Sequence, residues 1–424
     1  MTAEALVMNK NGVAIATDSV VTVATSDGPK SYNTINKLFR FSATEPIAIM
    51  VYGSVEFAQL PWETLILHHR NQLGERRLAT VEDYANEFLD YLRRVDLTEE
   101  DQSSMFLEML HGHFSMLADR LRSTLDQRIV DGVTSSHDIA DVVEDVLDHV
   151  EDELMSLVDL PELRGIMLTE VVRRYRREIY RARQIAIIHP LPISVSRRSL
   201  KRFWRLAHLF LIKAAFSPGA SGVIIAGFGE AQLLPSVRAY LIDGIFMNVM
   251  KYQITNRRDI TKQNQAIVLP FAQTEMVYRF MQGVDQEYQA YLIELFSEFL
   301  GKVTEYIVDT HVPVEQRRCA EADLKGILAE KLDLLETMTR DHRQAHFTRP
   351  IIDAVKSLPK HDLATLAEAL VQLTSLRRKM STDSQTVGEP IDVAIIAKSD
   401  GFIWVKKKTY FDFQFNLQNR SLLS

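Results

Sequence analysis

The sequence predicts an α+β fold in which strands from both ends and the middle of the chain form a layered core. Two apolar runs near the N-terminus, Ala5–Met8 and Val13–Thr17, flank a short turn. Further strand patterns occur near residue 222 and close to the C-terminus. Most of the sequence between them has apolar residues at the three- and four-residue spacing of helices. Strands interrupted by helical blocks are typical of a layered α+β core.

The composition narrows the class of protein. The chain has 424 residues, 46% of them apolar and 25% charged, which is typical of a globular protein with a large core. A net charge of −7 argues against nucleic acid as the main partner. The single cysteine, Cys319, excludes a disulfide framework within one chain. With no signal-peptide pattern and no long apolar run, we expect a cytoplasmic protein and no membrane partner.

The first 95 residues are predicted to open the core. After the first hairpin, strand patterns follow at Lys37–Phe41 and Pro46–Gly53. From residue 54 the apolar spacing becomes helical, and Thr80 followed by Asp83 is typical of a helix N-cap.

Two long helical insertions are predicted, at about residues 96–215 and 283–359. The first contains an acidic part at 138–162 and an arginine-rich part at 173–205. Two helices with solvated faces would account for this pattern, and a docking surface for a partner protein is the alternative. No aromatic interleaving accompanies the arginines, so nucleic acid is disfavoured.

The core is predicted to continue at 216–282 and to finish at 360–424. Helices are expected from about 275 to 380, with breaks near Pro313 and Pro350. The remaining strand patterns are Gly222–Gly229, Val237–Gly244, Gln265–Ala272 and a final strand pair within Pro390–Lys408.

Common catalytic and cofactor motifs are missing from the sequence, including the GxSxG elbow, the Walker loop and HExxH. His111 and His113 could ligate a metal, but histidines in such a helix are more often structural. Met105, Met109 and Met116 have the spacing of one helix face and are interpreted as core. We therefore predict neither a cofactor nor a metal.

Thr2 is the remaining candidate for chemistry. If Met1 is removed, which the small side chains of Thr2 and Ala3 favour, the threonine gains a free α-amine next to its hydroxyl. An α-amine with a pKa of about 7.7–8.0 can accept the hydroxyl proton. A nearby ammonium would lower the pKa of that amine, and a carboxylate would hold the ammonium in place. Lys37 and Asp18 are the candidates for these roles.

The register of the first hairpin tests this arrangement. If Lys10–Gly12 form a three-residue loop, Asn9 pairs with Val13 and Asp18 shares the sheet face of Thr2. A two-residue turn at Asn11 and Gly12 would place Asp18 on the opposite face. The hypothesis therefore requires the longer loop.

These residues resemble the opening of proteasome β-type subunits, which are N-terminal-nucleophile (Ntn) hydrolases. Thr2, Gly12, Asp18 and Ser19 fall at the family's positions without a gap. The segment "NKLFRFS", which contains Lys37, is similar to the family's second lysine-bearing strand after a three-residue insertion. The segment "VIIAGFGEAQLLPSVRAYLIDG" resembles the family's central stretch. The resemblance covers about half of the chain, at 1–95, 220–282 and 360–408.

The resemblance also implies further site residues. "IMVYGS" matches the strand whose glycine amide forms the oxyanion hole, which indicates Gly53. In "STDSQTVG", Asp383 and Thr386 match an aspartate and a serine that orient the nucleophile and its amine. The family's Gly-Ser-Gly turn is replaced by "FAQTEM", where Thr274 is the best match for the serine. The arginine often found after Asp-Ser is Val20 here.

The resemblance implies a four-layer αββα Ntn-hydrolase sandwich with the two helical stretches as insertions. It implies a threonine peptidase that cleaves peptides or unfolded proteins, assembles into a homo-oligomeric ring or spiral, and receives substrate from an ATPase or adaptor bound to the insertions. A catalytically silent assembly protein and an Ntn amidase of a small amide are the alternatives. Both enzymes need a free Thr2 amine and Lys37, whereas the assembly protein needs neither.

Overall fold

The computed structural model describes residues 3–25, 28–32, 35–130, 136–191, 197–380 and 390–409, and this part of the chain has an α+β fold with antiparallel sheets. Its strands are β1 Ala3–Asn9, β2 Gly12–Asp18, β3 Val21–Thr25, β4 Gly28–Tyr32, β5 Leu38–Arg40, β6 Ile47–Gly53, β7 Glu56–Phe57, β8 Leu60–Pro61, β9 Ser221–Gly227, β10 Ser236–Phe246, β11 Val249–Asp259, β12 Ala266–Ala272, β13 Ile391–Ala397 and β14 Gly401–Lys406. Its helices are α1 Trp62–Leu73, α2 Val81–Arg93, α3 Glu99–Val130, α4 Ser136–Ser156, α5 Leu168–Arg183, α6 Arg197–Ile212, α7 Glu275–Gln282, α8 Gln286–His311, α9 Arg317–Arg343, α10 Arg349–Val355 and α11 Lys360–Lys379.

The chain divides into two compact units. The first contains Met1–Ile35, Ile260–Ile395 and Ile403–Leu423, and the second contains Asn36–Asp259 and Ile396–Phe402. The strands of the two main sheets come from distant parts of the sequence, as the sequence predicted.

The first unit is built on a five-stranded sheet in the order β12-β1-β2-β13-β14. Its N-terminal strand β1 is therefore an inner strand, paired on both sides. Ala5 and Ala16 on one face pack in a cluster with Leu363 and Ala367 of α11, where small side chains allow the helix to lie close to the sheet. Leu6, which points to the opposite face, is also fully buried.

The second unit contains a five-stranded sheet in the order β11-β10-β9-β6-β5. Ile49 and Ile225 on one face pack in a cluster with Trp62 and Phe88 of the neighbouring helices. Met50, which alternates with Ile49 along β6, is also fully buried. Both main sheets are therefore apolar on both faces, as is typical of sheets covered on each side.

Two local predictions have different outcomes. The N-cap is confirmed, because the Thr80 hydroxyl accepts the Asp83 N–H at 3.2 Å and the Asp83 carboxylate accepts the Thr80 N–H at 2.9 Å. The predicted helix break near Pro350 is wrong. A π-turn at Gln344–Thr348 joins α9 to α10 without a break, and Pro350 lies directly after it in the first turn of α10.

Candidate functional site

The N-terminal hairpin has a different turn from the one predicted. Asn9 pairs with Gly12 and Glu4 with Thr17, so Lys10 and Asn11 form a two-residue turn and the three-residue loop is wrong. The Asn9 side chain accepts the Asn11 N–H at 2.8 Å and thereby stabilises the shorter turn.

The observed register changes how Asp18 reaches the N-terminal strand. The prediction that Asp18 shares the sheet face of Thr2 is wrong, because the shorter turn places Asp18 at the end of β2 on the face of Ala3. Its Oδ1 accepts the Ala3 backbone N–H at 3.3 Å. The residue is fully buried. Burying a carboxylate costs free energy unless hydrogen bonds or a cation compensate for it. A fully buried aspartate that is hydrogen-bonded to the backbone of the N-terminal strand is therefore a candidate for function rather than a surface turn cap.

Thr274 lies at the same end of the first sheet as Asp18. Ala3 pairs with Ala272, the last residue of β12, and Thr274 follows two positions later as the N-cap of α7. Its side chain makes no capping hydrogen bond. Ala272 has a left-handed φ of +60°, so this turn demands a conformation that glycine usually provides, although the sequence has none here.

A buried lysine lies close to the residue that follows Asp18. Lys408 Nζ donates to Ser19 Oγ at 2.8 Å and to Asp392 Oδ2 at 2.5 Å, while the Lys408 backbone N–H donates to Asp392 Oδ1 at 2.7 Å. The Lys408 and Asp392 side chains are only 5% and 3% exposed. Sequence reasoning missed this pair because a lysine in "KKK" at the end of a strand is indistinguishable from solvated neighbours.

Lys37 and Gly53 lie together at one end of the second sheet. The Lys37 carbonyl accepts the Val51 N–H at 2.8 Å, which places Lys37 beside β6, two residues before its terminal Gly53. Lys37 is buried, which is unusual for lysine. Gly53 has a φ of +84°, and a Cβ there would lie 2.2 Å from the Ala220 carbonyl oxygen. The position therefore accepts only glycine.

The seven predicted site residues fall into three groups. Asp18 and Thr274 lie at one end of the first unit's sheet, and Lys37 and Gly53 lie at one end of the second unit's sheet. The other three predicted residues lie outside the described residues: Thr2, Asp383 and Thr386.

A second charged cluster lies inside the second unit. Lys251 Nζ donates to Asp243 at 2.9 Å and to the Phe210 carbonyl at 2.7 Å, and the Ser217 hydroxyl donates to the other Asp243 oxygen at 2.5 Å. Burial lowers the pKa of Lys251, although Asp243 raises it. Burial also lowers the pKa of His113 to about 3. Because Lys251 is completely enclosed, we interpret the cluster as structural.

The described residues contain no group of three or more His, Cys, Asp or Glu side chains arranged to hold a metal ion. In the same part of the chain, no helix is both long and apolar enough to cross a bilayer.

Comparisons with known proteins give one structural match to report. No family model matches the sequence, and no curated protein matches it. Among solved structures, the Anbu (Gly-1) mutant from Hyphomicrobium sp. strain MC1 aligns over 99% of this chain and 93% of that chain, with 12% sequence identity and a TM-score of 0.28. A TM-score this low supports no conclusion about fold or function.

Proposed function

We propose that the protein is a threonine peptidase whose nucleophile is the hydroxyl of Thr2, exposed by removal of Met1. The observation that carries the proposal is the fully buried carboxylate of Asp18, which is hydrogen-bonded to the backbone of the N-terminal strand at Ala3. A buried anion at this point favours a cation close to the start of the chain. A free α-ammonium and a buried lysine would both meet that requirement.

In the proposed reaction, Thr2 Oγ attacks the carbonyl carbon of a peptide bond. The hydroxyl proton passes through a water to the Thr2 α-amine, and the carbonyl oxygen becomes an oxyanion. The oxyanion is stabilised by the Gly53 N–H, and losing one such donor typically costs roughly 10²–10³ in rate. Collapse expels the peptide amine, which takes the proton, and leaves an ester on Thr2 that water then hydrolyses.

The other predicted residues are assigned supporting roles in this proposal. Lys37 supplies the ammonium that lowers the pKa of the Thr2 amine, and Asp18 holds that ammonium. The burial of Lys37 is consistent with this role, because lysine is almost never fully buried unless it is paired with an anion. Asp383, Thr386 and Thr274 are proposed to orient the amine and the water.

The proposal includes the four-layer αββα sandwich. Burial on both faces of each main sheet supports it, since Leu6 and Ile15 in the first unit and Met50 and Ile224 in the second are fully buried opposite the helix-covered faces. We further propose that the substrate is a peptide or unfolded protein, that the protein forms a homo-oligomer, and that an ATPase or adaptor binds the helical insertions.

The test combines mass analysis with chemical labelling. Intact-mass and N-terminal analysis of protein from its native host should show Thr2 as the first residue. A threonine-directed electrophile should then modify the parent protein, Thr2→Ala should lose labelling and hydrolysis, and Thr2→Ser should keep part of both because the hydroxyl remains. As a matched control, Thr365→Ala should behave like the parent, since the Thr365 hydroxyl bonds the His361 carbonyl on α11, far along the chain from the predicted nucleophile.

Two results would contradict the proposal. One is Met1 retained throughout the population, and the other is Thr2→Ala cleaving peptides as fast as the parent. Either would favour the catalytically silent assembly protein. If Thr2 is labelled but only small amides are cleaved, the Ntn amidase is favoured instead.

A further inference from the structure

Helix α8 exposes a continuous apolar stripe. Its members recur every three or four residues and are 36–66% exposed: Tyr288, Tyr291, Leu295, Phe299, Val303 and Tyr306. Phe296 and Ile307 widen the stripe and are 49% and 40% exposed. The exposed fractions of these eight side chains add up to about four fully exposed side chains, which is roughly 800 Å² of apolar surface. One partner of a standard protein–protein interface buries about the same area.

The stripe is not the side of α8 that packs on α9. The groove between the two helices is lined on α8 by Gln286, Gln289, Ala290, Ile293, Glu294, Ser297 and Glu298, and on α9 by Leu332 and Glu336. The middle of this lining, at Ala290 and Ser297, lies on the side of the helix away from Phe299. The aromatic residues of α8 therefore point away from the groove that it shares with α9, and an exposed apolar patch of this kind marks an interaction site.

A second stripe on α8 is acidic and flanks the apolar one. Its five carboxylates are spaced seven, four, seven and four residues apart: Glu287, Glu294, Glu298, Glu305 and Asp309. In the described part of the chain two of them form salt bridges, Glu298 with Lys302 and Asp309 with Arg317. Glu305 also interacts electrostatically with Lys302 and Lys325. An antiparallel two-fold contact between α8 helices would bring the same acidic flank of both copies together, which is repulsive. The chemistry of this face therefore fits a basic surface.

Helix α5 presents such a surface. Arg173, Arg176, Arg177 and Arg181 lie on it within nine residues, and Tyr180 among them is 55% exposed. In the described part of the chain, none of these four guanidinium groups forms a salt bridge. Arginine pairs with carboxylates and also stacks on aromatic rings, so one arginine-rich face can satisfy both stripes of α8.

We propose that the two stripes of α8 in one copy of the protein dock on the arginine face of α5 in a second copy. This inference rests on the self-association in the proposed function but not on the chemistry of Thr2. Because the two surfaces differ, each copy can bind one neighbour through α8 and another through α5. Such head-to-tail contacts generate a ring or a helical filament rather than an isolated two-fold dimer.

The decisive experiment exchanges the charges between two variants of the full chain. One variant carries Glu287→Arg, Glu294→Arg and Glu305→Arg, so that both of its surfaces are basic. The other carries Arg173→Glu, Arg176→Glu and Arg177→Glu, so that both are acidic. In sedimentation velocity at about 1 to 100 µM, each variant alone should associate at least about tenfold more weakly than the parent. An equimolar mixture should recover association, because each α8 then meets an oppositely charged α5.

Exposed residues outside the two surfaces provide controls for the reversal of a charge and for the loss of an aromatic ring. Arg128→Glu, at an exposed arginine on α3, should associate like the parent. Phe299→Gln should weaken association at least about tenfold, whereas Phe280→Gln, at a 46% exposed phenylalanine on α7, should not. Thr2→Ala should still assemble, so failure of the proposed chemistry and failure of this contact give different results.

Several outcomes would overturn the proposal. A parent protein that stays monomeric throughout this range would mean that α8 is covered by its own chain or by a different basic protein. A mixture of the two variants that stays dissociated would exclude the α8–α5 pairing. The α8–α5 pairing would also be excluded if the variant with reversed arginines, measured without the other variant, associated as strongly as the parent.

Discussion

Lys406 and Lys408 lie two residues apart near the end of β14, yet replacing each with methionine should have very different effects. The Lys408 side chain is 5% exposed and pairs with Asp392, which is 3% exposed. Lys406 is 56% exposed and pairs with Glu368 at the same distance of 2.5 Å. The two ion pairs therefore differ mainly in their access to water.

The burial of each pair determines how much unfolding free energy its loss should cost. Lys408→Met leaves the Asp392 carboxylate buried without its ammonium partner, and removing one partner of a buried pair costs about 3–5 kcal/mol of unfolding free energy. Lys406→Met removes an exposed pair that water screens, which costs about 0–1 kcal/mol. Since about 1.4 kcal/mol corresponds to a factor of ten, the two variants should differ by roughly thirtyfold or more in their unfolding equilibrium.

Urea unfolding followed by tryptophan fluorescence and circular dichroism measures the difference. The Lys408→Met midpoint should fall well below that of Lys406→Met at a similar slope. Combining Lys408→Met with Asp392→Leu should recover part of the loss, because no charge is then left buried. Equal destabilisation by the two lysine substitutions would refute the reasoning and would mean that Lys408 is solvated in the native protein.

The remaining predictions concern two site residues and one buried histidine. Lys37→Ala should retain its circular dichroism spectrum but lose most peptidase activity, and unchanged turnover would rule out the assigned role. Gly53→Ala should lose about 2–4 kcal/mol in urea unfolding, through its positive φ and the clash of the new Cβ, and a loss below about 0.5 kcal/mol would contradict the geometry. Burial lowers the pKa of His113 to about 3, so the unfolded chain gains a proton below about pH 6.5 that the native protein does not bind. Stability should therefore fall by about 1.4 kcal/mol per pH unit from about pH 6 to 4 through this residue. His113→Phe should remove this contribution and leave the similar one from His69, whose pKa burial lowers to about 4, whereas His189→Phe should leave the whole slope unchanged.

Local patterns predicted many of the elements in this chain. The alternating and apolar runs indicated β1, β2, β6 and β9 within about two residues, because their side chains are buried and their composition reflects it. Strand β11 was missed, since its second half is polar and mostly exposed and carries no alternating pattern. Strand β11 is stabilised by its antiparallel pairing with β10, and this pairing is not visible in the local sequence pattern.

The candidate site shows the same limit. Asp18 and Lys37 could be proposed from sequence because their order and spacing after Thr2 match a known family pattern. Both are buried in the structure. The hairpin register could not be fixed, because the choice between two turns depends on a hydrogen bond to the Asn9 side chain. Lys408 and Asp392 could not be proposed either, since their pairing depends on how the sheet brings distant residues together.

The inner position of β1 has a consequence for how the protein is made. Its partner β2 follows directly, but its other partner β12 is synthesised only about 250 residues later. At a translation rate of about 5–20 residues per second, roughly 13–50 s pass between the two. During this interval the edge of β1 that later pairs with β12 is open to other chains. Enzymes that trim nascent chains can act on the first residues in the same period. Aggregation through that edge and processing of the chain's first residues therefore compete within the same time window.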